Sequence, residues 1–229
     1  MRWLIFLAAL LAAPAHAEVT PPCDRCLLDV PKGDALPMLV VLHGDRETAT
    51  AAHARWRAAA KKRKWVLLSL DCPIAEGCTN KEHSWWQWGG EPTWITARVA
   101  DVASQISIDP TRVYLAGWSG GATYLGMRSI AWPGTFAAIV IHGGGQPPWD
   151  ETVCPSKSLP AYFFVGDKNP LHHLAKGLRS YLEACKQEVK WDVIRGAKHD
   201  GEHEALTTKK GAAILDWLAA HARGESHAP

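Results

Sequence analysis

The sequence predicts an α/β protein in which helices flank a doubly wound, mainly parallel sheet within a single domain. Short apolar runs rich in β-branched and aromatic residues recur along the chain, and helix-forming stretches separate most of them. Parallel neighbouring strands need long crossover connections, so this alternation favours a parallel sheet. The predicted domain, residues 18–222 of 229, is long enough to form one medium-sized core.

Six apolar runs are predicted to be buried strands, because each is short and bounded by turn or polar residues. The first contains Met38 and ends at His43-Gly44, which is typical of a strand that is buried on both faces. The six runs cover residues 38–42, 65–70, 113–116, 136–141, 161–165 and 189–194.

Helices are predicted between these strands and at the end of the domain. In the second helix, Pro92 takes a tolerated first-turn position, and Ile95, Val99 and Val102 are spaced to form one apolar face. The predicted helices cover residues 49–63, 92–106, 120–130, 171–185 and 202–221.

The first residues have the pattern of a signal peptide. Arg2 precedes an apolar run that is too short to span a bilayer, and Ala15 and Ala17 flank His16 in the arrangement that a signal peptidase recognises. We therefore predict cleavage after Ala17 and a secreted or periplasmic protein, with residues 223–229 as a disordered tail. An amphipathic membrane anchor is the alternative, but the run lacks charged residues.

An even number of cysteines in an exported chain favours disulfides, although six cysteines allow 15 pairings. The Cys23-Asp24-Arg25-Cys26 segment also has the spacing of thiol redox motifs, which is the less favoured alternative because Pro21-Pro22 precedes it. The pairs we predict are Cys72 with Cys78, Cys154 with Cys185, and Cys23 with Cys26.

Composition argues against several kinds of partner. The net charge is only +2 and the charges of both signs are interspersed, so nothing indicates binding to nucleic acid or to an anionic membrane. The histidines show no convincing metal-ligand spacing, and no metal or organic cofactor is expected. The sequence leaves the oligomeric state open.

The strongest chemical signal is Gly117-Trp118-Ser119-Gly120-Gly121, a G-x-S-x-G motif that follows a predicted strand and precedes a predicted helix. Such a motif holds a serine hydroxyl at a sharp, strained turn, where glycines two residues away on either side prevent clashes. A glycine-rich turn without catalysis is the alternative interpretation.

With this motif, the strand end at Leu42-His43-Gly44 and the segment Gly196-Ala197-Lys198-His199, the chain resembles the α/β-hydrolase superfamily over roughly residues 38–221. It is most similar to secreted polyhydroxybutyrate depolymerase-like and feruloyl esterase-like enzymes. The resemblance implies an α/β-hydrolase fold and a serine esterase. It also implies that Ser119 is the nucleophile and that His199 is the general base.

The resemblance also implies a carboxylate that orients the histidine, after the strand that ends at Val165. Many relatives place it three residues after a glycine, and here that position is Asn169. We predict Asp167 instead, because it is the only carboxylate in that loop. Asp150 and Glu151 are the alternatives.

An oxyanion hole needs two fixed hydrogen-bond donors. In the family these are backbone N–H groups, which correspond here to Gly120 and Asp45. An acidic side chain beside a developing anion is unusual, so we expect the Asp45 carboxylate to point outwards.

The chain contains twelve tryptophans, and several fall in predicted loops at the carboxyl ends of strands. An indole-lined cleft would suit sugar rings, aromatic acyl groups or polyester segments, whereas packing in the core is the alternative for each tryptophan. The predicted substrate-binding residues are Trp85, Trp86, Trp88, Trp118 and Trp149.

These features predict a secreted carboxylic ester hydrolase that acts on a small or polymeric ester, with an acylated polysaccharide or a polyester as the favoured substrate. The alternative is a secreted polymer-binding protein that has the fold but is catalytically impaired. The unusual acid position and the tryptophans motivate that alternative.

Overall fold

The computed structural model describes residues 19–224, and within that range seven strands form one sheet in the order β1-β3-β2-β4-β5-β6-β7. Neighbouring strands pair in parallel, except that β1 runs antiparallel to β3 at one edge. The strands are β1 (Leu27–Asp29), β2 (Leu36–Leu42), β3 (Val66–Leu70), β4 (Ile108–Trp118), β5 (Ile139–His142), β6 (Ala161–Gly166) and β7 (Val189–Ile194).

Within residues 19–224, six α-helices accompany these strands, and short 3-10 turns lie in the connecting loops. The helices are α1 (Ala49–Arg63), α2 (Thr93–Ala103), α3 (Gly120–Met127), α4 (His172–Ala184), α5 (His199–Ala205) and α6 (Thr208–Ala219). Because long connections of this kind join parallel strands, the predicted mainly parallel α/β architecture is confirmed.

The central strands are buried on both faces. Along β2, Met38 and Val40 belong to one apolar cluster, whereas Leu39 and Val41 belong to a second cluster on the opposite side. Residues of α2, α3 and α4 belong to the first cluster, and residues of α1 and α6 belong to the second. Helices therefore cover both faces of the sheet, which explains why β2 is apolar at every position instead of alternating.

Some boundaries differ from the prediction: β4 runs from Ile108 to Trp118 where residues 113–116 were predicted, and β5 begins at Ile139 instead of Phe136. Two elements differ more strongly. The sequence analysis missed β1, which is only three residues long and too short to show a pattern. The helix predicted over residues 202–221 is two helices, because the Thr207 side chain accepts a hydrogen bond from the Lys210 N–H at 3.2 Å and starts α6. The earlier helix α5 begins at His199, three residues before the predicted start.

The predicted signal peptide lies outside the described residues. At the other end, Arg223 is the first residue of the predicted disordered tail, yet its backbone N–H donates to the Thr111 carbonyl at 2.8 Å. The Arg223 side chain also donates to the carbonyls of Pro110 and Gly134. Between residues 19 and 224, no helix is both long and apolar enough to cross a membrane.

The structure contains three disulfides: Cys23–Cys26, Cys72–Cys78 and Cys154–Cys185. The first two close short loops, with sequence separations of 3 and 6. The third spans 31 positions and ties the loop after β5 to the end of α4. Since a cross-link restricts the unfolded chain more when its loop is longer, this third bond should stabilise the domain most.

We predict that replacing both Cys154 and Cys185 by serine lowers the free energy of unfolding by about 3 to 4 kcal/mol. The matched control is the Cys23→Ser, Cys26→Ser double variant, whose smaller loop predicts a loss of about 2 kcal/mol. Urea unfolding followed by circular dichroism measures both values. A larger loss in the control would contradict the loop-length argument.

Candidate active site

Ser119 occupies a strained turn between β4 and α3. Its backbone angles are φ 51° and ψ −113°, which place a non-glycine residue at positive φ. The Ser119 N–H donates to the His142 carbonyl of the neighbouring strand at 2.9 Å. Such strain persists only where the surrounding structure enforces it, and it is common at functional sites.

Two glycines allow this turn to pack tightly. A Cβ on Gly117 would lie 2.5 Å from the Gly121 carbonyl carbon, and a Cβ on Gly121 would lie 2.6 Å from the His43 carbonyl oxygen. Both distances are far below van der Waals contact, so side chains are excluded at these positions. The G-x-S-x-G spacing therefore has a steric cause in this chain.

His199 reaches Ser119 from the loop after β7, where it is the first residue of α5. Its Nε2 lies 2.9 Å from the Ser119 Oγ, which is hydrogen-bond distance. The His199 side chain is 35% exposed. A histidine in this position can take the proton of a serine hydroxyl, and the partial exposure lets a substrate approach from solvent.

Trp118 was predicted to line a substrate cleft, and this prediction is wrong. Its side chain instead packs against His199. Its ring is buried and stacks on the His199 imidazole, with centroids 4.6 Å apart and planes 4° apart. The Arg55 guanidinium lies 4.9 Å from the Trp118 ring and pairs with Glu47. The indole is held between neighbours and fixes the plane of the imidazole.

Asp45 and Gly120, the two residues of the predicted oxyanion hole, are in contact through the Asp45 side chain. A Cβ on Gly120 would lie 1.9 Å from the Asp45 Oδ1, so the Asp45 side chain packs directly against Gly120. The carboxylate accepts hydrogen bonds from the Ser84 hydroxyl and from the Trp86 indole N–H. The expectation that it points outwards is therefore wrong, because two donors hold it against the turn.

The structure does not bring Asp167 to His199. Asp167 is exposed, and its Oδ1 accepts a hydrogen bond from the Gly196 N–H at 2.7 Å. The chain turns after Gly166, so Asp167 points away from the imidazole whereas Asn169 is buried beside it. Asp150 does not reach the site either, because it is exposed and accepts hydrogen bonds from Thr152.

The carboxylate that the structure does place at His199 is Glu202, which the sequence analysis missed. Its Oε2 lies 2.9 Å from the His199 Nδ1, and the side chain is fully buried. Both residues lie on α5, three positions apart and hence on one face of the helix. The sequence signal was this His-x-x-Glu spacing, which was hidden because the predicted helix began at Glu202.

His142 joins β5 to this cluster. Its Nε2 lies 2.9 Å from the Glu202 carbonyl oxygen, and burial lowers the pKa of His142 to about 3. The ring is therefore neutral near pH 7 and donates a hydrogen bond to that carbonyl. This bond anchors α5 to the sheet directly behind the His199 imidazole.

The predicted substrate-binding tryptophans fall into two groups. Trp85 and Trp88 are buried and pack with Tyr124 in an aromatic cluster, so the prediction that they line a cleft is wrong. Trp86 is 41% exposed and donates a hydrogen bond to Asp45. Asp45 lies in the loop between β2 and α1, residues 43–48, which we call the oxyanion loop after its predicted role. Trp149 is 85% exposed in the loop after β5. Of the five predicted tryptophans, all within residues 19–224, only these two are exposed.

No group of three or more histidine, cysteine, aspartate or glutamate residues within residues 19–224 is arranged to hold a metal ion. The polar side chains nearest Ser119 instead form one chain of contacts from hydroxyl to imidazole to carboxylate. Arranged in this way, they can activate a serine for attack on a carbonyl carbon.

A family model described as Esterase PHB depolymerase matches residues 26–147. The chain is 31% identical over 116 residues to poly(3-hydroxyalkanoate) depolymerase C of Paucimonas lemoignei, an alignment that covers 48% of this chain and 28% of the relative. It is 28% identical over 151 residues to poly(3-hydroxybutyrate) depolymerase of Ralstonia pickettii, covering 58% and 28%. The aligned part is thus about a quarter of the length of these relatives.

Solved structures show the same fold at low sequence identity. The Bacillus cereus carboxylesterase superposes with a TM-score of 0.64 at 14% identity, covering 86% of this chain and 93% of that one. Esterase PE8 superposes with a TM-score of 0.63 at 18% identity, covering 84% and 97%. The chain therefore has the α/β-hydrolase fold.

We predict that Asp167→Asn leaves kcat/KM for a p-nitrophenyl acyl ester within about threefold of wild type, since an asparagine oxygen still accepts from Gly196. Steady-state kinetics with the purified variant measure this. A loss of two orders of magnitude or more would return Asp167 to the catalytic site.

We predict that Gly120→Ala reduces kcat by about a hundredfold or more, because the new methyl group collides with the Asp45 carboxylate and displaces an oxyanion donor. Gly89→Ala is the matched control, since a Cβ there meets nothing within 4 Å. Equal activity of the two variants would contradict the assigned oxyanion hole.

Proposed function

Because the chain belongs to the Esterase PHB depolymerase family, we propose that it is a carboxylic ester hydrolase with Ser119 as its nucleophile. The observation that carries this proposal is the 2.9 Å contact between the Ser119 Oγ and the His199 Nε2 at a strained strand-to-helix turn. A neutral hydroxyl is a poor nucleophile, and an imidazole at this distance removes that limitation.

In the first half of the reaction, the Ser119 Oγ attacks the ester carbonyl carbon and His199 accepts the hydroxyl proton. The carbonyl oxygen becomes negatively charged and is stabilised by the N–H groups of Gly120 and Asp45. The tetrahedral intermediate then collapses and breaks the bond to the alcohol. His199 returns its proton to the departing alcohol, which leaves an acyl group on Ser119.

In the second half, water takes the place of the alcohol. His199 accepts a proton from the water, and the resulting nucleophile attacks the acyl carbon of the acyl-enzyme. A second tetrahedral intermediate forms at the same two N–H donors. Its collapse releases the carboxylic acid and restores the Ser119 hydroxyl, with His199 again the proton donor.

The favoured substrate is a polymeric ester, either an acylated polysaccharide or a polyester. Ser119 and His199 are both partly exposed, so the nucleophile can meet a chain that does not enter an enclosed cavity. Trp86 at the oxyanion loop and Trp149 in the loop after β5 offer apolar contact area. The matched curated relatives are named as polyester depolymerases, which supports the polyester.

Export is part of the proposal. Three disulfides suit an oxidising compartment, as does the predicted signal peptide over residues 1–17. A polymer too large to enter the cell would be met only outside it. We therefore propose a secreted or periplasmic location.

We predict that a fluorophosphonate probe labels the folded wild-type protein and that Ser119→Ala abolishes the labelling. The same substitution should lower ester turnover at least about ten-thousandfold, because it removes the attacking oxygen. Mass spectrometry of the labelled peptide identifies the modified residue. A folded wild-type protein that neither labels nor hydrolyses any ester would favour the alternative, a polymer-binding protein without catalysis.

A panel of p-nitrophenyl acyl esters, feruloylated polysaccharide and poly(3-hydroxybutyrate) film distinguishes the substrate classes. Release of ferulate would indicate an acylated polysaccharide, whereas film clearing with release of hydroxy acids would indicate a polyester. The Ser119→Ala protein is the matched control for passive binding to each polymer.

A further inference from the structure

The carboxylate beside His199 comes from an unusual place, the histidine's own helix. We propose that Glu202 is the residue that orients the His199 imidazole, and that Asn169 holds Glu202 in position. In this arrangement, the loop after β6 supplies an amide, Asn169, and the acid comes from α5. The proposal rests on the proposed ester hydrolysis at Ser119 and identifies the third member of its catalytic group.

Glu202 is fully buried, and each of its carboxylate oxygens has a donor. The Oε1 accepts a hydrogen bond from the Gly166 N–H, and the Oε2 accepts one from the Asn169 Nδ2 at 2.7 Å. The His199 Nδ1 is the third partner, at 2.9 Å from the same Oε2. A buried carboxylate is tolerated only when such donors replace its water shell, so this site is built for an anion.

The protonation of His199 follows from its two contacts. Since the Nε2 must accept the hydrogen of the Ser119 hydroxyl, the Nδ1 carries the ring proton. The Asn169 Nδ2 also lies 3.1 Å from this Nδ1, but an amide NH₂ has no lone pair to accept a proton. The Nδ1–H therefore donates to Glu202, which selects the tautomer that catalysis needs.

The contacts of Asn169 suit an amide that donates a hydrogen bond to a carboxylate, and they do not suit a second carboxylate. Its Oδ1 accepts from the Leu171 N–H at 2.8 Å, which fixes the direction of the amide. Its Nδ2 then faces the Gly143 carbonyl at 3.2 Å and the Glu202 Oε2 at 2.7 Å. An aspartate at this position would set two carboxylates against each other. A carboxylate is therefore favourable at position 169 or at position 202, but not at both.

The backbone of α5 is anchored as well as the side chain. His142 donates to the Glu202 carbonyl from β5, so the acid is tied to the sheet at both its main chain and its side chain. Because His199 and Glu202 share one turn of α5, the base and its acid keep their mutual geometry without depending on a second loop.

Glu202→Gln is the first test. The Gly166 N–H requires an oxygen at Oε1, so the glutamine NH₂ must take the Oε2 place and faces the His199 Nδ1. A donor there favours the opposite tautomer of the ring. We expect kcat to fall by about a hundredfold to ten-thousandfold, with KM changed less. Asp167→Asn is the matched control and should stay near wild type.

The second test moves the carboxyl group from position 202 to position 169. In the Asn169→Asp, Glu202→Gln double variant, the new aspartate can accept both the His199 Nδ1–H and the glutamine NH₂. We expect kcat at least about tenfold above that of Glu202→Gln alone, because the donor and acceptor roles match again. A residue with a purely structural role would not produce this recovery, since the double variant carries one more substitution in the core.

Nitrogen-15 histidine spectra supply a readout that does not need turnover. Wild-type His199 should carry its proton on Nδ1, and Glu202→Gln should shift the ring towards the Nε2–H tautomer. If Glu202→Gln does not fold, the wild-type spectrum and the activity of the double variant still test the role of Glu202. A wild-type His199 whose Nδ1 carries no proton would overturn the proposal.

The two proposals fail in different ways. A wild-type protein that neither labels with fluorophosphonate nor hydrolyses esters would overturn the proposed function. If the wild-type protein is active and the Glu202→Gln variant is folded and equally active, only the proposed role of Glu202 is overturned, and the proposed function stands.

Discussion

The turn at Ser119 is the constraint on which the rest of the site depends. A serine at φ 51° can be held only if the backbone on both sides packs without side chains, so Gly117 and Gly121 follow from it. The same turn begins α3, which leaves the Gly120 N–H outside the helix ladder and available to an oxyanion. It also brings the Ser119 hydroxyl to the edge of the sheet where the loops after β5, β6 and β7 meet. Strain at one residue thus sets the positions of the proposed nucleophile, Ser119, and of one proposed oxyanion donor, Gly120.

A second requirement is the burial of a carboxyl group next to His199. Glu202 is removed from water completely, and in compensation it receives donors from Gly166, Asn169 and His199. These donors come from the end of β6, from the loop that follows it and from α5, so the carboxyl group also links two segments that are distant in sequence. A buried hydrogen-bond network destabilises the fold if any of its groups lacks a partner, and it is rigid when every group has one. Such rigidity suits a carboxyl group that holds an imidazole in one orientation.

Aromatic residues serve three separate purposes in this fold. Trp85 and Trp88 fill the core under the oxyanion loop, and Trp118 supports the plane of His199. Trp86 and Trp149 remain accessible at the surface. A high tryptophan content therefore does not by itself indicate an indole-lined cleft, because burial differs sharply between neighbours such as Trp85 and Trp86 in one short turn.

The architecture, the position of Ser119 at a strand-to-helix turn and the histidine that lies against it were all predictable from the sequence. Short apolar runs bounded by turn residues indicate strands of a sheet that is covered on both faces. The G-x-S-x-G motif between a strand and a helix indicates a tight turn, because glycines are needed there to avoid clashes. Only the tertiary structure decided which carboxylate meets His199. That choice depends on the direction of two side chains after Gly166 and on where α5 begins, and a local pattern encodes neither. Asp167 and Asn169 lie two positions apart, yet one is exposed and the other is buried against the imidazole. The hydrogen-bond partner of Asn169 is Glu202, which lies 33 positions later in the sequence, so only folding brings the two side chains together.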